Sequence, residues 1–418
     1  MKKSLFAMAA VTAFAGAAQA QSSVTVYGIL DVGYTGATIN SVSSAGAKTV
    51  TNYGRISNSM ESGSRLGFRG NEDLGGGTSA QFVFEVAIQP AGNSGSNPAG
   101  TIAAPGTSTA PLIAAAYAGQ ASIVQNFATR QAFVGLSQKG VGQVRIGTQN
   151  TLFWEQAGSN TTGQLAQVLG SMLAPTSSGA VSLASTGDLG AYTIRTTNTV
   201  NFRTERMSGL VAKASYTQSN QTTNQTTLAG GYSGGISDQS GYQVALDWNI
   251  AKANIQASYA NFQSQGPATS AALATSVTTG STVAWGNGLQ GTNVKDQQTL
   301  VTASYNFGIL TAYAGWTNRV VADFYNANNN LQRSAQEIGV RSFITPKIEG
   351  WASAGMGRYN VLGSGNPTAN LTGYQVGSNY YMSKRTNLYA IYGANNTSST
   401  SSGSLNASQY SVGVRHTF

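Results

Sequence analysis

The chain predicts an all-β fold, a 16-stranded antiparallel transmembrane β-barrel with short periplasmic turns and long extracellular loops. Three observations point there. Charged residues are only 9% of the 418 residues, against about 25% in ordinary soluble domains, while Gly (51), Tyr (19) and Phe (14) are plentiful. Beyond the first twenty residues no apolar run approaches the length of about 18 that a membrane helix needs. Segment after segment alternates apolar and polar residues with the period of two that separates the faces of a strand.

The start of the chain reads as an export signal. Met1-Lys2-Lys3 is positive, Leu5 to Ala18 is apolar, and Ala18-Gln19-Ala20 is a small-x-small cleavage site. Cleavage is expected between Ala20 and Gln21, giving a signal peptide over 1–20 and a barrel domain over 21–418. There is no cysteine, so disulfides and thiolate metal sites are excluded. Few charges, many aromatics and alternating strands fit an outer-membrane barrel, whose outward residues meet lipid and whose inward residues meet water.

The strands follow in order. "SVTVYGILDVG" opens the sheet. In "QFVFEVAIQ", Phe82, Phe84, Val86 and Ile88 share one face and Gln81, Glu85 and Gln89 the other. In "GYQVALDWN", Tyr242, Val244, Leu246 and Trp248 oppose Gln243 and Asp247. "KANIQASYA" and "TLVTASYNF" alternate the same way. Seven short turns, at 71–77, 138–142, 204–209, 249–252, 306–308, 345–349 and 382–386, alternate with eight long loops rich in Ser, Thr, Asn, Gly and Ala. Those loops lie near 36–60, 90–126, 150–192, 219–238, 264–295, 319–333, 360–370 and 395–406. Fifteen connections make sixteen strands. The last, "SQYSVGVRHTF", sets Tyr410, Val412, Val414, His416 and Phe418 on one face and Arg415 on the other. It is expected to pair with the first strand and remove the sheet edges, which lipid cannot hydrogen-bond. Such a barrel encloses an aqueous channel.

The same parity locates charges. Leu66 and Phe68 face out, so Arg65 and Arg69 face water; Val144 and Ile146 face out, so Arg145 faces in; Val200 and Phe202 face out, so Arg195 and Arg203 face in. Asp31 and Glu85 are acids on nearby inward faces. The net charge is +9, or +7 once Lys2 and Lys3 are removed. With no Lys/Arg run, nucleic acid is not an expected partner; charges spread through a lumen focus counter-ions instead. One histidine, His416, and no cysteine leave no triad remote from the C-terminus and no Cys/His metal site. No catalytic function and no cofactor are expected. A surface-recognition, adhesin-like barrel remains a different class of reading, separable by whether the protein conducts ions.

"SSVTVYGILDVG", "SGSRLGFRGNEDLGGG" (62–77), "TRQAFVGL" (129–136), "GQVRIGTQNT" (142–151) and "YSVGVRHTF" resemble the general porins of Gram-negative outer membranes. The resemblance implies homotrimers of sixteen-stranded barrels in outer-membrane lipid and passage of small anions and hydrophilic solutes. It implies a second long loop, 90–126 here, that reaches toward a neighbouring subunit, and a third, roughly 150–192, folded into the lumen. It implies an inward Arg130, and arginines (Arg65, Arg130, Arg195 or Arg203) facing acids across the pore, here Glu85, Glu155 and Asp188. It also makes the C-terminal strand, with Tyr410, Val412 and Phe418, the signal read by the outer-membrane assembly machinery. The chain departs from the family at Thr148, where an arginine is common, and in its few loop acids. Substrate-preferring members keep open whether one solute is favoured.

Overall fold

The computed structural model describes residues 23–43, 45–91, 129–164, 166–173, 195–228, 231–265, 294–323, 330–362, 368–399 and 403–418. The expected export signal and Asp188 lie outside the described residues, as does nearly all of loop 90–126. The described chain is almost all strand: β1 (Ser23–Val42), β2 (Lys48–Asn58), β3 (Arg65–Gly75), β4 (Thr78–Ala87), β5 (Thr129–Gln138), β6 (Gly142–Asn150), β7 (Arg195–Thr204), β8 (Leu210–Leu228), β9 (Gly231–Ile250), β10 (Ala253–Gln265), β11 (Val294–Asn306), β12 (Thr311–Asp323), β13 (Asn330–Thr345), β14 (Ile348–Leu362), β15 (Thr368–Tyr381), β16 (Thr386–Ser399) and β17 (Gly403–Thr417). One helix, α1 (Leu152–Ser159), lies between β6 and β7.

Except for β2 and β3, each strand pairs antiparallel with the next, and β17 pairs with β1 along Ile29↔Thr417 to Val42↔Ser404, which closes the sheet. β2 and β3 both pair with β1, at Val32–Val42 and Ser23–Ile29 respectively. They are two pieces of one stave, so seventeen segments make sixteen staves. The backbone of Phe418 completes the seam: its N–H donates to the Gly28 carbonyl and its carbonyl accepts from the Gly28 N–H, both at 3.1 Å. The final residue is thus bound into the ladder.

All seven short turns fall where the alternation breaks. At the first, Gly75, Gly76 and Gly77 have φ of +83°, +61° and +78°, a left-handed run that side chains resist. The strand faces also follow parity. Tyr242, Val244, Leu246 and Trp248 are exposed on the outside, while Gln243, Gln256 and Thr302 are buried inside.

Three expectations need correction. Segments 36–60 and 219–238 are not loops: β1 and β2 form a hairpin over the first, and β8 and β9 run through the second. A backbone ladder needs no apolar face where strands leave lipid, so Thr- and Asn-rich stretches can pair as strands. Val86, read as lipid-facing, is buried, because the β4–β5 register shifts between Glu85 and Val86.

The wall is uneven. β3 to β7 are 9–11 residues long, whereas β8 to β17 are 13–20.

Candidate pore constriction

The segment after β6 turns into the barrel. Thr151 caps α1, its hydroxyl accepting from the Trp154 N–H at 3.2 Å, a standard helix start. The helix lies on the inner faces of β9–β11. Phe153 and Ala157 pack with Leu300 and Leu173, and Gln156 Nε2 donates to the Gln256 carbonyl and to Thr302 Oγ1, both at 3.0 Å.

The chain then runs along β13–β17. Arg341 donates to the Thr162 carbonyl (2.9 Å) and Gln375 to that of Val168 (2.8 Å). The Leu169 N–H donates to Gln409 Oε1 (3.1 Å). Glu337 Oε2 accepts from the Met172 N–H (2.6 Å) and Ser171 Oγ (2.9 Å), while Arg333 donates to the Met172 carbonyl (2.7 Å). Glycine makes the seat: a Cβ at Gly393 would fall on the Leu169 carbonyl, and one at Gly373 on Met172. The described part of this third loop therefore lines the tall half of the barrel.

The short wall, β3–β7, carries Arg65, Arg130, Arg145, Arg195 and Arg203, in two tiers. Arg65, Arg130 and Arg195 stand at the first or second residue of β3, β5 and β7, where each strand re-enters the wall from a loop. Arg130 Nε donates to Glu85 Oε1 at 2.6 Å, Arg65 Nη1 lies 4.0 Å from the same oxygen, and Tyr27 donates to Glu85 Oε2 at 3.0 Å. Arg195 is within electrostatic range of Arg130, Glu85 and Arg65. It is 9% exposed and its Nε has no hydrogen-bond partner among the described residues. Three cations thus surround one carboxylate.

The lower tier sits toward the short turns. Arg203 lies near the end of β7 and Lys213 near the start of β8. Both bind Glu155 of α1, at 2.9 and 3.3 Å, and Arg145 lies close to Arg203 and Glu155. Burial pushes the Glu155 carboxyl up, but Arg203 and Lys213 more than offset this and hold it below the usual carboxylate range.

Parity set Arg65, Arg69, Arg145, Arg195 and Arg203 inward and the porin resemblance added Arg130, but two expectations change. Arg195 and Arg203 are not alternatives on one ladder, since they stand at opposite ends of β7. Glu155 does not face Arg65 and Arg130 from across the pore; it is tied to the lower tier, because α1 docks beside β7 and β8. Asp31 is fully buried and holds a turn. The reading from sequence also missed Lys213, Arg341 and Glu349, and gave Arg415 no role. Arg415 contacts Glu61 at 3.3 Å and Arg341 contacts Glu349. Arg415 was on the wet face of the last strand, so alternation alone located it.

A family model described as Gram-negative porin matches residues 7–400. An outer membrane porin protein of Bordetella pertussis is 33% identical over 166 residues, 38% of this chain and 36% of that one. Outer membrane porin protein 32 of Delftia acidovorans is 49% identical over 88 residues, 21% of this chain and 23% of that one. These matches thus span about a third or less of the relatives' lengths. Among solved structures, an anion-selective porin from Comamonas acidovorans superposes with a TM-score of 0.60 at 20% identity, covering 95% of this chain and 100% of that one. OmpT of Vibrio cholerae gives 0.57 at 14%, covering 95% and 98%. With that family model matching nearly the whole chain, the closed barrel described above belongs to the Gram-negative porins.

Proposed function

We propose that the protein is a passive diffusion channel of the outer membrane for ions and small hydrophilic solutes. It selects by size where the third loop narrows the lumen and prefers anions there. The observation that carries this is the charge imbalance on the short wall, where among the described residues Arg65 and Arg130 lie against Glu85 and Arg195 is a third cation in electrostatic range of it. A fixed field in a confined lumen concentrates counter-ions. An anion about 7 Å from one unpaired guanidinium gains roughly 2 kcal/mol at an effective dielectric near 20, enough to bias entry without trapping the ion.

Homotrimeric assembly and recognition of the C-terminal strand (Tyr410, Val412, Phe418) by the assembly machinery belong to the same proposal. They are supported by family membership and by the exposed outward faces of those residues. OmpT has been crystallised in a trimer form. The test is charge reversal. Arg65→Glu and Arg130→Glu should each move the zero-current potential in a salt gradient toward cations, while Lys384→Glu on a short turn leaves it near the wild-type value. Equal effects at all three positions would count against a constriction at the upper tier.

A further inference from the structure

The second stave is cut between β2 and β3, and residues 59–64 turn into the lumen. The turn begins on Ser59 with φ +67°, a left-handed conformation uncommon for serine, so something holds it. Asp31 of β1 does. Its backbone carbonyl accepts from the Ser59 N–H (2.9 Å) and its N–H donates to Ser64 Oγ (3.0 Å), gripping both ends. Its carboxylate Oδ2 accepts from the N–H groups of Glu61 (2.8 Å) and Ser62 (2.7 Å), gripping the middle. Tyr389 donates to Oδ1 at 2.7 Å and orients the group.

The turn in turn touches both sides of the lumen. On one side, the Gly63 carbonyl and Ser62 Oγ accept from Arg65 Nε and Nη2, each at 2.9 Å, and a Cβ at Gly63 would crowd the Arg130 guanidinium. On the other side, the Met60 carbonyl accepts from the Gln167 N–H at 2.7 Å. The Met60 side chain is buried with Ala166, Val168, Trp351, Tyr389 and Ile391. We propose that Asp31 is a positioning residue for permeation: by holding turn 59–64 it sets the place of Arg65 and Arg130 on one jaw of the lumen and of loop residues 166–168 on the other.

This rests on the channel function proposed above, and the test separates the two. Single-channel conductance and zero-current potential are compared for wild type, Asp31→Ala and Asp31→Asn. The asparagine side chain can still accept both turn N–H groups on its oxygen and donate to Tyr389 through its amide, so it should keep near wild-type values. Asp31→Ala should raise the conductance and lower the anion-to-cation permeability ratio about 1.5-fold. That is the change expected if Arg65 draws back by about 2 Å from an ion about 7 Å away in a water-like dielectric, with opposite sign for anion and cation.

If Asp31 acted instead as a charge on passing ions, both variants would shift toward anions by similar amounts, which overturns the proposal. Wild-type conductance and potential in folded Asp31→Ala also overturn it. Should Asp31→Ala not fold, Met60→Ala keeps the turn bonds and releases only the loop jaw. Raised conductance with unchanged selectivity then supports the proposal, and unchanged conductance contradicts it. A wild type that does not conduct at all would instead remove the channel reading.

Discussion

Glu85→Gln isolates the electrostatics of the upper tier. The carboxylate is 4% exposed, sits 2.6 Å from Arg130 and 4.0 Å from Arg65, and accepts from Tyr27. Glutamine has the same shape. Its oxygen can still accept from Arg130, and its amide can donate to the Tyr27 hydroxyl, so geometry is largely kept while one negative charge is lost. For an anion about 7 Å away, removing that charge is worth about 0.6 kcal/mol in a water-like dielectric and about 2.4 kcal/mol at an effective value of 20. Since Arg65 is 24% exposed to the lumen, the lower figure governs. The anion-to-cation permeability ratio should rise about threefold near 0.1 M salt, and the gain should shrink near 1 M, where the Debye length is about 3 Å. The assay is the zero-current potential of single channels in a salt gradient. A normal conductance with an unchanged potential, or a shift toward cations, would show that ions do not pass within reach of this cluster.

Other outcomes follow from the same geometry. Arg203→Gln leaves Glu155 bound by Lys213, with Arg145 nearby, and should shift selectivity toward cations by less than Arg130→Glu does; an equal or larger shift would make the lower tier the selective one. Gly393→Val should push the loop at Leu169 off the wall into the lumen and lower single-channel conductance without loss of barrel, whereas unchanged conductance would show that the loop yields freely. Glu155 has a lowered pKa in the folded protein, so its stabilisation is complete above the ordinary carboxylate value of about 4.3 and is lost as pH falls through the lower folded value. Hydrogen exchange in α1 should therefore be flat from neutral to mildly acid pH and rise only below about pH 4, and a rise near pH 6 would contradict the assignment. Deleting Phe418 removes two backbone bonds, worth about 1 kcal/mol each; outer-membrane yield should fall far more than refolding in detergent, and equal losses would make the residue purely structural.

The barrel was legible because lipid and water impose opposite chemistry on alternate residues, and a closed sheet must do so on every stave. The same rule set Arg65, Arg145, Arg195 and Arg203 inward, and the resemblance to the porins added Arg130. It carries no information on height along the axis, which is why Arg195 and Arg203 looked interchangeable. It fails where the chain leaves the wall: the cut at 59–64 and the docking of Glu155 on Arg203 and Lys213 depend on contacts between residues far apart in sequence. It also fails above the membrane, where β8 and β9 pair in water and need no apolar face.

The most direct measurement is the zero-current potential of the wild-type channel in a salt gradient, recorded first near 0.1 M and then near 1 M. Three arginines around one glutamate predict a potential of the sign set by anions, large at low salt and reduced at high salt as screening shortens the field. A potential of the cation sign, or none at either concentration, would contradict the account.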